Sequence, residues 1–318
     1  MGDFFMRVRL GYACICESLD NVTSSTNYTY TAFLKEQDYS KLDSIIRSNL
    51  EDLEKIIDYN IKNDIHFYRL SSKLIPLATK DDVLFDYIDK YRDYYDRIGE
   101  KINKSNMRVD FHPDQFCVLN SVNSDVVSNS IKILKYHYLI LDALRIKNKV
   151  LVLHVGSNAF GKKNSLSRFI KQFLLLPDYL RECIAIENDD KVFNIEDCLY
   201  LNSVINVPVI LDYHHHHLCN HEKLELDFSL IFKTWKDVIP KVHFSSSKNK
   251  TKKDFRSHHD YIDPVSFVSF LELIKDFDFD LDIMIEAKKK DEALFRLVRN
   301  IKYLENYKFL DDTTFFLQ

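Results

Sequence analysis

Eight short apolar runs, each about the length of a β-strand, punctuate the chain at 7–13, 65–70, 107–111, 150–155, 183–187, 207–212, 241–245 and 281–286. Between them the apolar residues change period. They return every three or four positions at 42–59, 124–145, 166–173, 195–204, 224–235, 264–277 and 291–306, the spacing of a helix that buries one face. Pro264 suits the first turn of its helix, with Asp263 before it as the N-cap. Strands that alternate with helices along the chain predict one (β/α)8 TIM barrel spanning 1–318 rather than two separate domains. A length of 318 residues is ordinary for such a barrel.

Chemistry gathers where the runs end. His112 follows the third, His154 lies in the fourth, Glu187 and Asp212 close the fifth and sixth, His243 lies in the seventh and Glu286 closes the eighth. His215 and His258 follow in the adjoining connections. A single histidine at a strand end is most often a packed, hydrogen-bonded residue. Eight imidazoles and carboxylates delivered by successive strands to the C-terminal mouth of a barrel instead predict one multinuclear metal centre. Lys241 and His243 are two apart on one strand and face the same side. Asp212 and His215 straddle the point where a strand is expected to pass into a loop, from which the histidine reaches back over the pocket. Asp189 is assigned to capping the turn after Glu187.

Mixed imidazoles and carboxylates favour manganese or zinc over calcium, and no cysteine cluster accompanies them to make a structural thiolate site. Such a centre lowers the pKa of bound water and stabilises charge on phosphoryl oxygens, which suits phosphodiester hydrolysis; sugar isomerisation uses related ligands.

Composition narrows the field. With 46% hydrophobic and 29% charged residues but only 5 Gly and 6 Pro, the chain is neither disordered nor collagen-like. It has no glycine-rich phosphate loop, and no nucleotide cofactor is expected. A net charge of -4 gives no overall attraction to nucleic acid, yet leaves room for a local basic surface. The lysine-rich stretch 248–253 is expected to be a solvent-facing loop on the catalytic side. The 6 cysteines are irregularly spaced, as free thiols in a reducing compartment would be. The N-terminus lacks a signal-peptide pattern, Met6 stands where a myristoylation signal needs Ser or Thr, and no run of about 18 apolar residues occurs. A soluble intracellular protein without a membrane partner is expected, in the cytoplasm or nucleoid if the host is prokaryotic.

The strings MRVRLGYACI, HFYRLSS, RVDFHPDQFCVLNS, LVLHVGSNAFGKK, IENDD, PVILDYHHHHL, KVHFSSSK, FRSHHDYID and DIMIEAKKKDEAL, in that order over 6–294, closely resemble the UV damage endonuclease family. These DNA-repair enzymes are related in fold to apurinic endonuclease IV and the xylose-isomerase-like barrels. The resemblance implies three divalent ions, usually Mn²⁺, with Zn²⁺ the alternative. His112 and His154 would share the first with Glu187; Glu187, Asp212, His243 and Glu286 would surround the second; His215 and His258 would hold the third. It implies a catalytic set of Glu187, Lys241, His243 and Glu286, with the amine of Lys241 carboxylated. Taken alone, Lys241 reads more simply as a lysine whose stem packs on the strand while its ammonium reaches solvent or a carboxylate.

The implied partner is damaged double-stranded DNA, with no obligate protein partner. Cleavage would fall immediately 5′ to cyclobutane pyrimidine dimers and (6-4) photoproducts, leaving a 3′-hydroxyl and a 5′-phosphate. Gln115 and Phe116 match the pair that probes the damage, Tyr12 a lesion-pocket residue, and Arg69, Lys162, Lys163 and 248–256, including Arg256, a surface for the DNA backbone. On the residues alone, Phe116 would equally well close the core beside Phe111, and Tyr12 would pack at the first strand end. Two positions depart from the family pattern: Cys16 stands in place of an amide, and Gly156-Ser157 in place of two glycines. The alternatives are an abasic-site endonuclease or sugar isomerase on the same barrel, and a non-catalytic damaged-DNA-binding protein. Activity on a photoproduct duplex separates them.

Overall fold

A computed structural model describes residues 6–219, 226–249 and 254–317. All eight expected strands are present: β1 (Met6–Ala13), β2 (Phe67–Leu70), β3 (Arg108–Phe111), β4 (Leu151–His154), β5 (Ile184–Glu187), β6 (Val209–Asp212), β7 (Lys241–Phe244) and β8 (Leu281–Ile285). They run parallel in chain order, and β8 pairs back onto β1 through Val8↔Leu281 to Tyr12↔Ile285, closing the (β/α)8 barrel. Around it lie α1 (Tyr30–Glu36), α2 (Tyr39–Lys62), α3 (Arg92–Lys104), α4 (Ser124–Ala143), α5 (Lys162–Leu174), α6 (Asp178–Arg181), α7 (Ile195–Ile205), α8 (Tyr213–Cys219), α9 (Phe228–Lys233), α10 (Pro264–Ile274) and α11 (Lys290–Leu304). Asp263 caps α10 with Pro264 in its first turn. Residues 224 and 225 of the span expected for α9 lie outside the described residues.

Two of the differences from the sequence pattern have evident physical causes. Helix α3 was not expected because only Tyr95, Ile98, Gly99 and Ile102 face inward among many charges, and the glycine reads as a breaker. Gly99 is there for contact, since a Cβ would stand 2.4 Å from the Leu144 carbonyl oxygen. Helix α8 replaces the loop expected after Asp212, whose carboxylate accepts from the His215 N–H at 2.7 Å. A C-terminal hairpin of β9 (Lys308–Phe309) and β10 (Thr314–Leu317) was not anticipated. Strand β10 pairs antiparallel with the first half of β1, from Met6↔Leu317 to Arg9↔Thr314, while residues 11–13 of β1 pair with β2.

The main apolar core lies outside the barrel, where Leu10, Tyr68, Val109, Leu153, Ile186, Leu211, Val242 and Ile283 meet the helices. Alternate residues point inward, and many of these are charged. At the base, Arg9 grips Asp282 with both nitrogens of its fork, at 2.7 and 2.8 Å, and Arg108 adds a bond at 2.9 Å. One layer higher, Lys241 and Asp110 pair at 2.5 Å, both wholly buried. Small apolar groups fill the remaining interior, notably Val152, Ala185, Ile210 and Trp235, and Phe67 with Met284.

The seam between β1 and β2 is tightest at Gly11, where a Cβ would lie 2.2 Å from the Phe67 carbonyl oxygen. Both neighbours are strand backbone and cannot swing aside. Gly11→Ala is expected to destabilise the fold by about 1–3 kcal/mol, the usual cost of overpacking. A lower urea midpoint with an unchanged m-value would show it.

Candidate metal centre

The strand ends deliver their polar side chains to one focus, the Glu187 carboxylate, almost wholly buried at the end of β5. His112 Nε2 lies 2.9 Å from Oε2 and His154 Nε2 lies 3.7 Å from it. On the other oxygen, His243 Nδ1 stands at 2.9 Å and His215 Nδ1 at 3.5 Å. Burial raises the pKa of the carboxyl, but these imidazoles outweigh it and hold the group well below the usual carboxylate range.

Two more carboxylates complete the focus. Asp212, fully buried at the end of β6, accepts from His215 N–H through Oδ1, while its buried Oδ2 has no hydrogen-bond partner. Burial pushes its carboxyl well above the ordinary value; His215 opposes this and Glu187 and Glu286 reinforce it. Burial works against His215 in turn, yet Asp212 and Glu187 draw its imidazole up to about 11. Glu286, just after β8, accepts from Arg69 Nη1 at 2.6 Å and lies 3.4 Å from His243 Nδ1.

Three overlapping groups, each with ligand atoms within 4.8 Å of one another, can hold a cation: His112, His154 and Glu187; Glu187, Asp212 and His215; and Asp212, His243 and Glu286. The donors suit divalent ions such as manganese or zinc. A buried carboxylate oxygen with no hydrogen-bond donor is what an ion would satisfy. Neighbouring groups orient the ligands. His112 Nδ1 donates to the Pro113 carbonyl at 2.9 Å, leaving Nε2 for an ion. Asn188 bonds both the N–H and the carbonyl of Asp212, at 2.8 and 3.0 Å, and its own carbonyl meets His215 Nδ1 at 3.1 Å.

The other expected site residues are distributed around this focus. His258 lies beside the three groups, with Nδ1 4.0 Å from Glu286 Oε2 and its ring 5.9 Å from that of His214. His214, whose Nε2 is buried without a partner, was passed over in the four-histidine run because only His215 has the three-residue offset from Asp212. Lys241 sits against Asp110. That aspartate was missed although it precedes His112 by the same two residues that separate Lys241 from His243. Arg69 is not a surface cation as expected: it is buried, and its Nη2 donates to His243 Nε2 at 2.7 Å. Tyr12 is fully buried, its hydroxyl donating to Asn60 at 2.8 Å and its ring tilted against Tyr68. Cys16 packs beside it, and burial raises its thiol to about 12.

Gln115 and Phe116 are exposed on the loop after β3, Phe116 at 72%. The aromatic ring therefore does not close the core. Lys162, at the start of α5, pairs with Asp197 at 2.8 Å; Arg256 donates to the carbonyl and carboxylate of Asp190 at 2.8 and 2.7 Å. Lys250, Lys252 and Lys253 lie outside the described residues. Asp189 caps the following turn, accepting from the N–H groups of Lys191, Val192 and Phe193. Among the described residues no helix is long and apolar enough to cross a membrane.

Comparison with known proteins matches residues 8–314 to the family model of UV-endonuclease UvdE. The UV DNA damage endonuclease of Bacillus cereus (strain B4264) is 37% identical over 311 residues, covering 95% of this chain and 97% of the relative. That of Bacillus mycoides (strain KBAB4) is 36% identical over 317 residues, covering 97% and 99%. The crystal structure of SacUVDE superposes with a TM-score of 0.84 at 34% identity over 93% of this chain and 99% of that one. Endonuclease IV from Thermus thermophilus shares the fold, with a TM-score of 0.54 at 14% identity over 80% of this chain and 95% of that one.

The Asp212 oxygen that accepts no hydrogen bond separates apo stability from metal binding. In metal-free protein Asp212→Asn is expected to be no less stable than the parent, because burial already disfavours the carboxylate form there and one of its two oxygens has no hydrogen-bond donor. The parent should gain about 2.7 kcal/mol per occupied site when free Mn²⁺ is ~100 times its Kd, and the variant should lose most of that gain. Thermal unfolding with chelator and with Mn²⁺ checks both halves.

Proposed function

The chain belongs to the UV-endonuclease UvdE family, and we propose that it is a metal-dependent endonuclease that nicks UV-damaged duplex DNA at the mouth of its barrel. The observation that carries this reading is the set of overlapping ligand groups built on Glu187 and Asp212. Divalent ions held there, which we assign as Mn²⁺ with Zn²⁺ as the alternative, supply water activation and neutralise the charge that develops on the scissile phosphate.

The rest falls to the chain's own groups. Glu187 and Asp212 each belong to two ligand groups and fix the spacing between them. Arg69 holds Glu286 and His243 in orientation from below. His258 completes the flank beside Glu286, opposite the end held by His112 and His154. Gln115 enters the helix at the lesion and hydrogen-bonds to exposed base edges, while Phe116 fills the space left by the damaged pair. Damage has already lowered the cost of unstacking there. Lys162 and Arg256 exchange their carboxylate partners for DNA phosphates. Scission falls immediately 5′ to the photoproduct. The bond between phosphorus and the 3′ oxygen breaks, a water oxygen ends on the 5′-phosphate, and the 3′ oxygen takes up a proton.

Lys241 is assigned as carboxylated, its amine adding to carbon dioxide with loss of a proton. Burial, helped by Arg69 and Arg108 and opposed by Asp110, lowers the amine's pKa to about 8, so a neutral fraction is available near physiological pH. Buried donors in this part of the barrel, Arg69 Nε with Arg108 Nε and Nη2, make no hydrogen bond, Arg69 Nε standing 3.7 Å from Asp110, and a carbamate would offer them an acceptor.

Metal-loaded protein incubated with a photoproduct duplex and its undamaged twin is expected to cut only the former, 5′ to the lesion, leaving a 3′-hydroxyl. Cleavage at abasic sites alone, sugar isomerisation, or tight binding without a nick would overturn the assignment. Lys241→Arg keeps the charge opposite Asp110 but cannot be carboxylated, and should lower activity by about 10- to 100-fold, as losses around metal ligands do. Full activity in that variant would exclude a functional carbamate.

A further inference from the structure

Phe160 lies in the loop that joins β4 to α5, on the same face of the barrel as the ligand cluster, with 79% of its surface exposed. Its backbone has φ +62°, in the left-handed region that a bulky L-residue rarely adopts. Gly161, next in the chain, has φ +88° and open space where a Cβ would be, so the relaxed residue and the strained one stand side by side. Nothing in the fold asks for an aromatic at this point: the ring packs against no other aromatic ring among the described residues.

The loop is nonetheless held firmly. Asn120 bonds both the N–H and the carbonyl of Ser157, at 2.7 and 2.8 Å. Arg168 donates to the carbonyls of Ala159 and Asn120, at 2.6 and 2.9 Å, and Asn164 to that of Phe160 at 2.7 Å. Gly156, at φ +103°, lies where a Cβ would stand 2.7 Å from Val118. Asn120 and Val118 belong to the segment that carries Gln115 and Phe116. Phe116 and Phe160 therefore ride on adjoining loops locked to one another, and the exposed Lys162 and Lys163 follow Gly161. A fixed, outward aromatic flanked by cations beside a phosphodiester-cleaving site has the chemistry of a base-stacking platform.

We propose that Phe160 is a second aromatic contact with the DNA, stacking on a nucleobase near the one displaced at Phe116 and holding the opened duplex over the ligand cluster. The inference rests on the nuclease reading and adds a recognition residue to it. A stacking group differs from a phosphate contact in that it releases no counterions, and it differs from a packing residue in that its loss does not loosen the fold.

The test uses metal-loaded protein and a photoproduct duplex with a non-hydrolysable scissile linkage, with binding read by fluorescence anisotropy across a salt series. Phe160→Ala and Phe160→Gly are each expected to lose about 5- to 100-fold in affinity, the span of one base–aromatic stack, with the salt slope unchanged. Phe160→Trp should restore binding. Phe160→Gly should melt no lower than the parent, since glycine adopts φ +62° without strain. Parent-like affinity in the Ala and Gly variants overturns the proposal while leaving the nuclease standing. Failure of the parent to bind or nick any photoproduct duplex overturns both.

Discussion

A carboxylate removed from water must meet positive charge or hydrogen-bond donors, and Glu187 is ringed by four imidazoles carried by four different parts of the chain, with His112 and His243 at hydrogen-bond distance. His112 follows β3, His154 ends β4, His215 lies on α8 after β6, and His243 lies on β7. These groups are remote in sequence, and only closure of the barrel brings them to one point. Where no cation is present, burial pushes the Asp212 carboxyl up, and Asp212 and Glu187 draw the His215 imidazole up, so both groups are biased toward binding a proton. Protons and metal ions are thus alternative solutions to one electrostatic problem, and metal binding here must release protons.

The same constraint organises the layers below. A barrel of this size fills its interior with side chains, and here much of the filling is ionic: Lys241 with Asp110, then Arg9 and Arg108 on Asp282. Buried pairs of this kind are weak contributors to stability, because desolvation consumes most of their attraction, while leaving one partner alone is costly. Their effect is to reject alternative registers, since a strand slipped by one residue would strand several charges at once. Stability comes instead from the apolar layer between the strands and helices, and the antiparallel β10 covers the part of β1 that β2 does not reach.

Much of this was legible in the sequence because its signals are local. Each strand is an apolar run, the last six end at or within a residue of a ligand, and together they locate the eight strands and the mouth. What stayed hidden depends on contacts between distant segments. Gly99 reads as a helix breaker until the Leu144 carbonyl that presses on it is known. Asp110 looks like an ordinary polar residue until β7 places Lys241 opposite. Arg69 reads as a contact for the DNA backbone because a guanidinium can neutralise a phosphate, and the demand of Glu286 and His243 for a donor keeps it inside. For Phe116 the local pattern fits core and tip equally, and the decision is made by the turn in which Asp114 accepts from the Phe116 N–H at 2.8 Å.

An acidic protein that acts on DNA must draw its selectivity from something other than net charge. Lys162 and Arg256 are each neutralised by a carboxylate, Asp197 and Asp190, so a phosphate has to displace an existing partner to be held. That exchange leaves little gain on intact duplex, where backbone contact is all that is offered. At a lesion the balance changes, because bases already unstacked present their faces to aromatic residues at a reduced cost. On the nuclease reading, weak phosphate contacts and exposed aromatic rings together make damage, rather than DNA as such, the feature that is bound tightly.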